Sequence, residues 1–139
     1  MYRYSRDYKT VSTPWNPKCI QRPYALLQPA TYEDARDALM LYKKYNQSFT
    51  IMSGGHDFEC ESNTNNTVLH LGHLNKIEVD LERKEAKVQA GARWADVYEA
   101  LNGTGYEIIG GMCPTVGVGG FTLGGGFHWR LSHYWGSAA

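Results

Sequence analysis

The sequence predicts an α+β protein whose first half has α/β character, a small mixed sheet with flanking helices, and three stretches carry that prediction. Pro23–Met52 reads as strand, helix, strand. Ile77–Ala90 alternates apolar and charged residues on either side of a turn. Cys113–Gly126 is fourteen residues of which six are glycine, with Val116, Val118, Phe121 and Leu123 set among them. Two strands joined through a helix run parallel, whereas an alternating hairpin is antiparallel with one wet face. The glycine run is neither a linker, which would lack regular apolar residues, nor an ordinary element. Glycine costs backbone entropy unless a positive φ or a close approach requires it. A buried turn and helix against something large is the expectation.

Residues 1–22 hold Pro14, Pro17 and several aromatics without period, and read as an irregular arm in front of a domain spanning 23–139. The strand Pro23–Pro29 is bracketed by prolines. Thr31 with Asp34 three residues on has the form of a helix cap, and Ala35, Ala38, Leu39 and Tyr42 recur at helical spacing to about Tyr45. Phe49–Met52 is a second strand, delivering the chain into Ser53-Gly54-Gly55-His56-Asp57. Ligands in open α/β sheets bind beyond the carboxyl ends of strands, and His56 stands at such an end. A polar loop, Glu59–Thr67, precedes the strand Val68–Leu71. His70 and His73 form an H-x-x-H pair with no third ligand at suitable spacing, so they read as surface or supporting histidines and no metal is expected. After the hairpin Gly91 breaks the pattern, and Trp94, Val97, Tyr98 and Leu101 mark a short amphipathic helix ended by Asn102–Gly105.

At 139 residues the chain is of one domain's length. Fourteen basic residues balance fourteen acidic ones, which argues against nucleic acid as a partner. No apolar run has the length of a membrane span, and the first seven residues lack the apolar core of a signal peptide. Thr122 stands where the dinucleotide fingerprint G-x-G-x-x-G needs glycine, and no Gly-Lys-Ser/Thr follows the run. Both common phosphate loops are therefore excluded. What remains is a histidine after one glycine pair and a cysteine before a glycine run. A neutral imidazole and a thiolate are the side chains best suited to attack an electrophilic ring.

Ser53-Gly-Gly-His-Asp-Phe58 followed by Cys113-Pro-Thr-Val-Gly-Val-Gly-Gly-Phe-Thr-Leu-Gly-Gly-Gly126 resembles the berberine-bridge-enzyme-like branch of the vanillyl-alcohol-oxidase flavoproteins. The resemblance runs from about Arg22 to the last residue and implies a PCMH-type FAD-binding domain. It implies that FAD lies against Ser53, Gly54, Gly55, Asp57 and Ser62, and against Thr115, Val116, Gly117, Gly119, Gly120 and Gly125. It further implies a bicovalent cofactor, with His56 bonded to the flavin 8α-methyl and Cys113 to C6. The two side chains should then open on one cleft without a direct hydrogen bond between them. Val116, three residues after the cysteine, is the implied oxygen gate. The implied reaction passes hydride from a carbohydrate, alcohol or alkaloid to FAD and then to oxygen. The implied partners are a small-molecule substrate and oxygen, with neither nucleic acid nor membrane. The alternative is a non-catalytic FAD-binding or structural remnant.

With Cys113 on the flavin, Cys19 and Cys60 remain as a possible disulfide. Together with sequons at Asn46, Asn65 and Asn102 they point to secretion of a full-length form. Several positions depart from the family pattern. Met52 stands where a basic residue is usual, and Cys60 where glycine is. Past Gly126, Phe127-His-Trp-Arg precedes Leu131-Ser132, with His133 at an arginine position and Ser137 at a leucine position. The chain also ends while such a domain should still be adding strands, so the domain reads as incomplete. The C-terminal half would be missing and no residue here is nominated as the catalytic base.

Overall fold

The computed structural model describes residues 6–130. Helices α1 (Tyr8–Ser12), α2 (Tyr32–Lys44), α3 (Trp94–Leu101) and α4 (Val118–Gly124) accompany strands β1 (Ala25–Leu27), β2 (Phe49–Met52), β3 (Thr67–His70), β4 (Ile77–Asp80) and β5 (Glu85–Val88). Parallel and antiparallel pairing both occur, in separate sheets: β1-β3-β2 is wholly parallel and β4-β5 is an antiparallel hairpin. Leu131, Ser132, His133 and Ser137 lie outside the described residues.

Strands β1 and β2 run parallel as the strand–helix–strand pattern requires, but they are not neighbours. Strand β3 lies between them, with Val68 paired to both Leu26 and Thr50. Val68 and Leu69 are almost wholly covered, and β3, the most buried of the three strands, takes the position paired on both edges. One face of this sheet packs Leu26, Met52 and Val68 against Tyr8 of α1. The other packs Leu69 against Ala38 and Tyr42 of α2, with Leu27, Phe49 and Leu71 at the margin. Full burial of each such side chain stabilises by about 1.5–3 kcal/mol.

Helix α2 begins where the cap pattern puts it. The Thr31 hydroxyl accepts from the Asp34 N–H at 3.1 Å, and the Asp34 carboxylate accepts from the N–H groups of Thr31 at 2.9 Å and Ala30 at 3.1 Å. The arm before Arg22 is more regular than its sequence suggests. It carries α1 and a 3-10 turn at Pro17–Cys19, and the Tyr8 hydroxyl donates to the Pro23 carbonyl at 2.6 Å. One helical turn buries too few residues to show a period. The arm is tied down by the Cys19–Cys60 disulfide, with Cα atoms 4.8 Å apart.

The remaining core joins the hairpin to α3 and α4. Ala92, Trp94, Val97, Leu101 and Val118 are buried together, and Ile77, Val79 and Val88 of the hairpin close over them. Glu78, Asp80, Glu85 and Lys87 form the expected wet face. Helix α4 departs from the buried segment expected of the glycine run. Val118 is buried and Phe121, one turn on, is half-buried, but Leu123 is 90% exposed. The i, i+3 pair leans on the core and Leu123 points the opposite way.

Candidate functional site

Strand β2 ends at Met52, whose side chain is 2% exposed within the sheet core. Its neighbours there, Tyr8, Leu26 and Val68, make an apolar setting that suits methionine. The next residue, Ser53, donates its hydroxyl to the Ala90 carbonyl at 2.6 Å and ties the loop to the exit of the hairpin. Gly54 then meets Gly117 backbone to backbone. A Cβ on either would collide with main-chain atoms of the other. The close approach inferred from the glycines is, at these two positions, the approach of one glycine loop to the other.

The second loop is zippered to the residues before and at the start of α3. Trp94 N–H donates to Val116 O at 3.1 Å, Val118 N–H to Ala92 O at 2.9 Å, and Gly119 N–H to Ala90 O at 3.2 Å. Gly119 has no room for a Cβ, which would sit 2.8 Å from the Ala90 carbonyl oxygen. Gly120 and Gly125 differ: nothing lies within 4 Å of a Cβ at either, so their backbone faces open space. Val116 is half-buried and packs against the Trp94–Val97–Val118 cluster.

His56 and Cys113 come together at this junction, and one hydroxyl lies between them. His56 Nε2 is 2.9 Å from Thr115 Oγ1, and Cys113 Sγ is 3.6 Å from the same oxygen. Cys113 is a free, exposed thiol. No direct hydrogen bond joins the imidazole to the thiol among the described residues. Partial burial, and then the Arg93 guanidinium, hold His56 below the ordinary histidine pKa, so the ring is neutral near pH 7. Asp57 folds its own loop: its carboxylate accepts from Glu59 N–H at 3.1 Å and Ser62 N–H at 2.9 Å. Cys60 adopts φ +65°, the left-handed region that glycine favours, while its sulfur is bonded to Cys19.

Two contributors carry no sequence signal of their own. Trp15, from the arm, stacks on the His56 ring at 4.9 Å between centroids and 18° between planes, and its backbone N–H donates to Gly55 O at 2.9 Å. Phe58 meets the edge of the same indole at 6.0 Å. Arg93 acts at a distance on both His56 and His70. His70 supports local structure, its Nδ1 accepting from Gly72 N–H at 3.2 Å. Among the described residues no group of three or more His, Cys, Asp or Glu side chains is arranged to hold a metal ion. No helix of the described residues is long and apolar enough to cross a membrane.

A parallel sheet with a glycine loop at its carboxyl end, locked to a second glycine loop whose outer backbone is open, defines a cofactor-holding α+β domain. The chain belongs to the FAD binding domain family, whose sequence profile matches residues 23–138. It is 33% identical over 125 residues to reticuline oxidase of Eschscholzia californica, covering 86% of this chain and 23% of that protein. It is 44% identical over 82 residues to berberine bridge enzyme-like 5 of Arabidopsis thaliana, covering 55% of this chain and 16% of that one. Among solved structures, glucooligosaccharide oxidase from Acremonium strictum superposes with a TM-score of 0.80 at 25% identity, over 91% of this chain and 27% of that chain. That structure is described as bearing 6-S-cysteinyl, 8α-N1-histidyl FAD. The chain thus spans about a quarter or less of the length of these relatives.

Proposed function

We propose that this chain is the flavin-holding part of a berberine-bridge-enzyme-like oxidase in which FAD is bound through both His56 and Cys113. The observation that carries the reading is the convergence of one imidazole and one free thiol on Thr115, where the two glycine loops touch. The donor set fits such a cofactor. A neutral imidazole and an accessible thiol are nucleophiles for an electron-poor ring, and the open backbone at Gly120 and Gly125 leaves space for a large planar group. Ser53, Gly54, Gly55, Asp57 and Ser62 shape one side of the cradle, and Thr115, Val116, Gly117, Gly119, Gly120 and Gly125 the other.

When bound, the flavin supplies two-electron chemistry, accepting hydride from a carbohydrate, alcohol or alkaloid and passing the electrons to oxygen as hydrogen peroxide. This chain's residues hold and orient it. Val116, half-buried against the Trp94–Val97–Val118 cluster, gates oxygen. The Cys19–Cys60 bridge supports secretion of the full-length protein, because disulfides persist in oxidising compartments.

Acid precipitation and mass analysis of the full-length protein test the assignment. His56→Ala and Cys113→Ala should each keep flavin on the polypeptide through the other residue, and only the double variant should release it all. Release of all flavin by either single variant would show that one link, not two, holds it.

A further inference from the structure

We propose that the Thr115 hydroxyl is the positioning group for both nucleophiles, accepting a hydrogen bond from His56 Nε2–H and donating one to the Cys113 sulfur. This deepens the proposed function and rests on it. A hydroxyl has one proton and two lone pairs, so it serves two neighbours in complementary senses. Here the neighbours are a ring nitrogen at 2.9 Å and a sulfur at 3.6 Å. In the proposed sense the ring proton sits on Nε2 and the Nδ1 lone pair is free to attack. The hydroxyl proton meanwhile is directed at a sulfur lone pair and orients the sulfur. The opposite sense would make the thiol, a weak donor, hold the chain of hydrogen bonds together and would put the ring proton on Nδ1, the atom needed as nucleophile.

The geometry around Thr115 holds this arrangement in place. Pro114 O accepts from Ala95 N–H at 3.0 Å and Val116 O from Trp94 N–H at 3.1 Å, pinning the backbone on both sides of Thr115 to the start of α3. A β-branched side chain on a fixed backbone has few rotamers, so the hydroxyl is aimed. Trp15 covers one face of the His56 ring and restrains its rotation. Thr115 therefore selects which ring nitrogen is nucleophilic.

The bond from Nδ1 to the 8α-carbon costs that methyl group one proton, sends two electrons into the flavin and leaves the ring an imidazolium. Its Nε2 proton is already bonded to Thr115 and leaves by that route. Oxygen takes the two electrons as hydrogen peroxide, restoring the oxidised cofactor. The bond from sulfur to C6 replaces a ring proton with the same electron balance.

The experiment adds FAD to flavin-free full-length protein and follows acid-stable flavin with time. Thr115→Val, which keeps the shape and removes the hydroxyl, should slow both attachments at least about tenfold. Thr115→Ser should restore them. Binding of FAD before attachment, read from its absorbance, should survive in both variants, which a merely structural role for Thr115 would not predict. Unchanged rates in Thr115→Val, or a wild-type histidyl link through Nε2, overturns the inference and leaves the bicovalent reading standing. Wild-type protein that never forms acid-stable flavin overturns that reading itself. If Thr115→Val fails to fold, the linked nitrogen in the wild type and the Thr115→Ser rate still decide.

Discussion

At the scale of single residues, the site depends on contacts that the sequence expressed unequally. His56 follows a glycine pair and Cys113 precedes a glycine run, which marks both in the sequence, whereas nothing marks Trp15, because its stacking on His56 depends on a distant arm whose aromatics have no period. Trp15→Ala removes one face of the His56 environment; under the proposed attachment of FAD through His56 it should lower the histidyl share of bound flavin severalfold, while Trp15→Phe keeps most of it, and mass analysis of the flavin peptide measures both. The glycines divide in a way that their letters do not reveal. Gly117 is small because the Gly54 loop lies on it, so Gly117→Ala should destabilise the fold by about 1–3 kcal/mol, the usual range for overpacking. Gly120 faces open space within α4, so Gly120→Ala should be neutral or stabilise by up to about 1 kcal/mol through helix propensity. Denaturant unfolding separates the two. If Gly120→Ala also weakens FAD binding, the open backbone is where the cofactor lies.

At the scale of elements, local patterns were readable and pairings between distant strands were not. The α2 cap, the hairpin and α3 each follow from residues within a few positions of one another, and each appears where its pattern lies. The order β1-β3-β2 follows from the burial of β3, a property of the assembled sheet that no short window contains. The one-turn helix α1 is too short for a periodic signal. Thr31→Ala should cost about 1 kcal/mol by removing the acceptor for Asp34 N–H, visible as a lowered melting temperature. The cap also titrates. The Thr31 side chain, then the N–H groups of Thr31 and Ala30, hold the Asp34 carboxyl below its ordinary pKa. Its contribution is therefore complete above the unfolded carboxylate pKa and is lost as pH falls through the lower folded value. Thr31→Ala should accordingly narrow the stability difference between neutral and strongly acidic solution.

At the scale of the whole molecule, the arm, the sheet and the glycine loops meet around His56, and charge couples them. The disulfide was legible once Cys113 was set aside, but its second role was not: it holds the arm that carries Trp15 beside the β2 loop. Arg93, at the start of α3, acts electrostatically on both His56 and His70. Burial is the larger cause and the Arg93 charge the next in depressing both imidazoles, with His73 adding to the effect at His70. A histidine whose folded pKa lies below its unfolded value binds fewer protons when folded, so stability rises with pH across that interval. Below the unfolded histidine pKa the unfolded chain takes up protons that the folded chain resists, and stability falls until the folded value is passed. Arg93→Gln removes the charge but not the burial. It should raise both imidazole pKa values, seen directly in the histidine ring resonances, and make the loss of stability between pH 7.5 and pH 5 smaller than in the wild type. An Arg93→Gln variant with unmoved His56 and His70 resonances would remove Arg93 from the electrostatics of the site, and a wild-type protein equally stable at both pH values would overturn the depressed imidazole pKa values altogether.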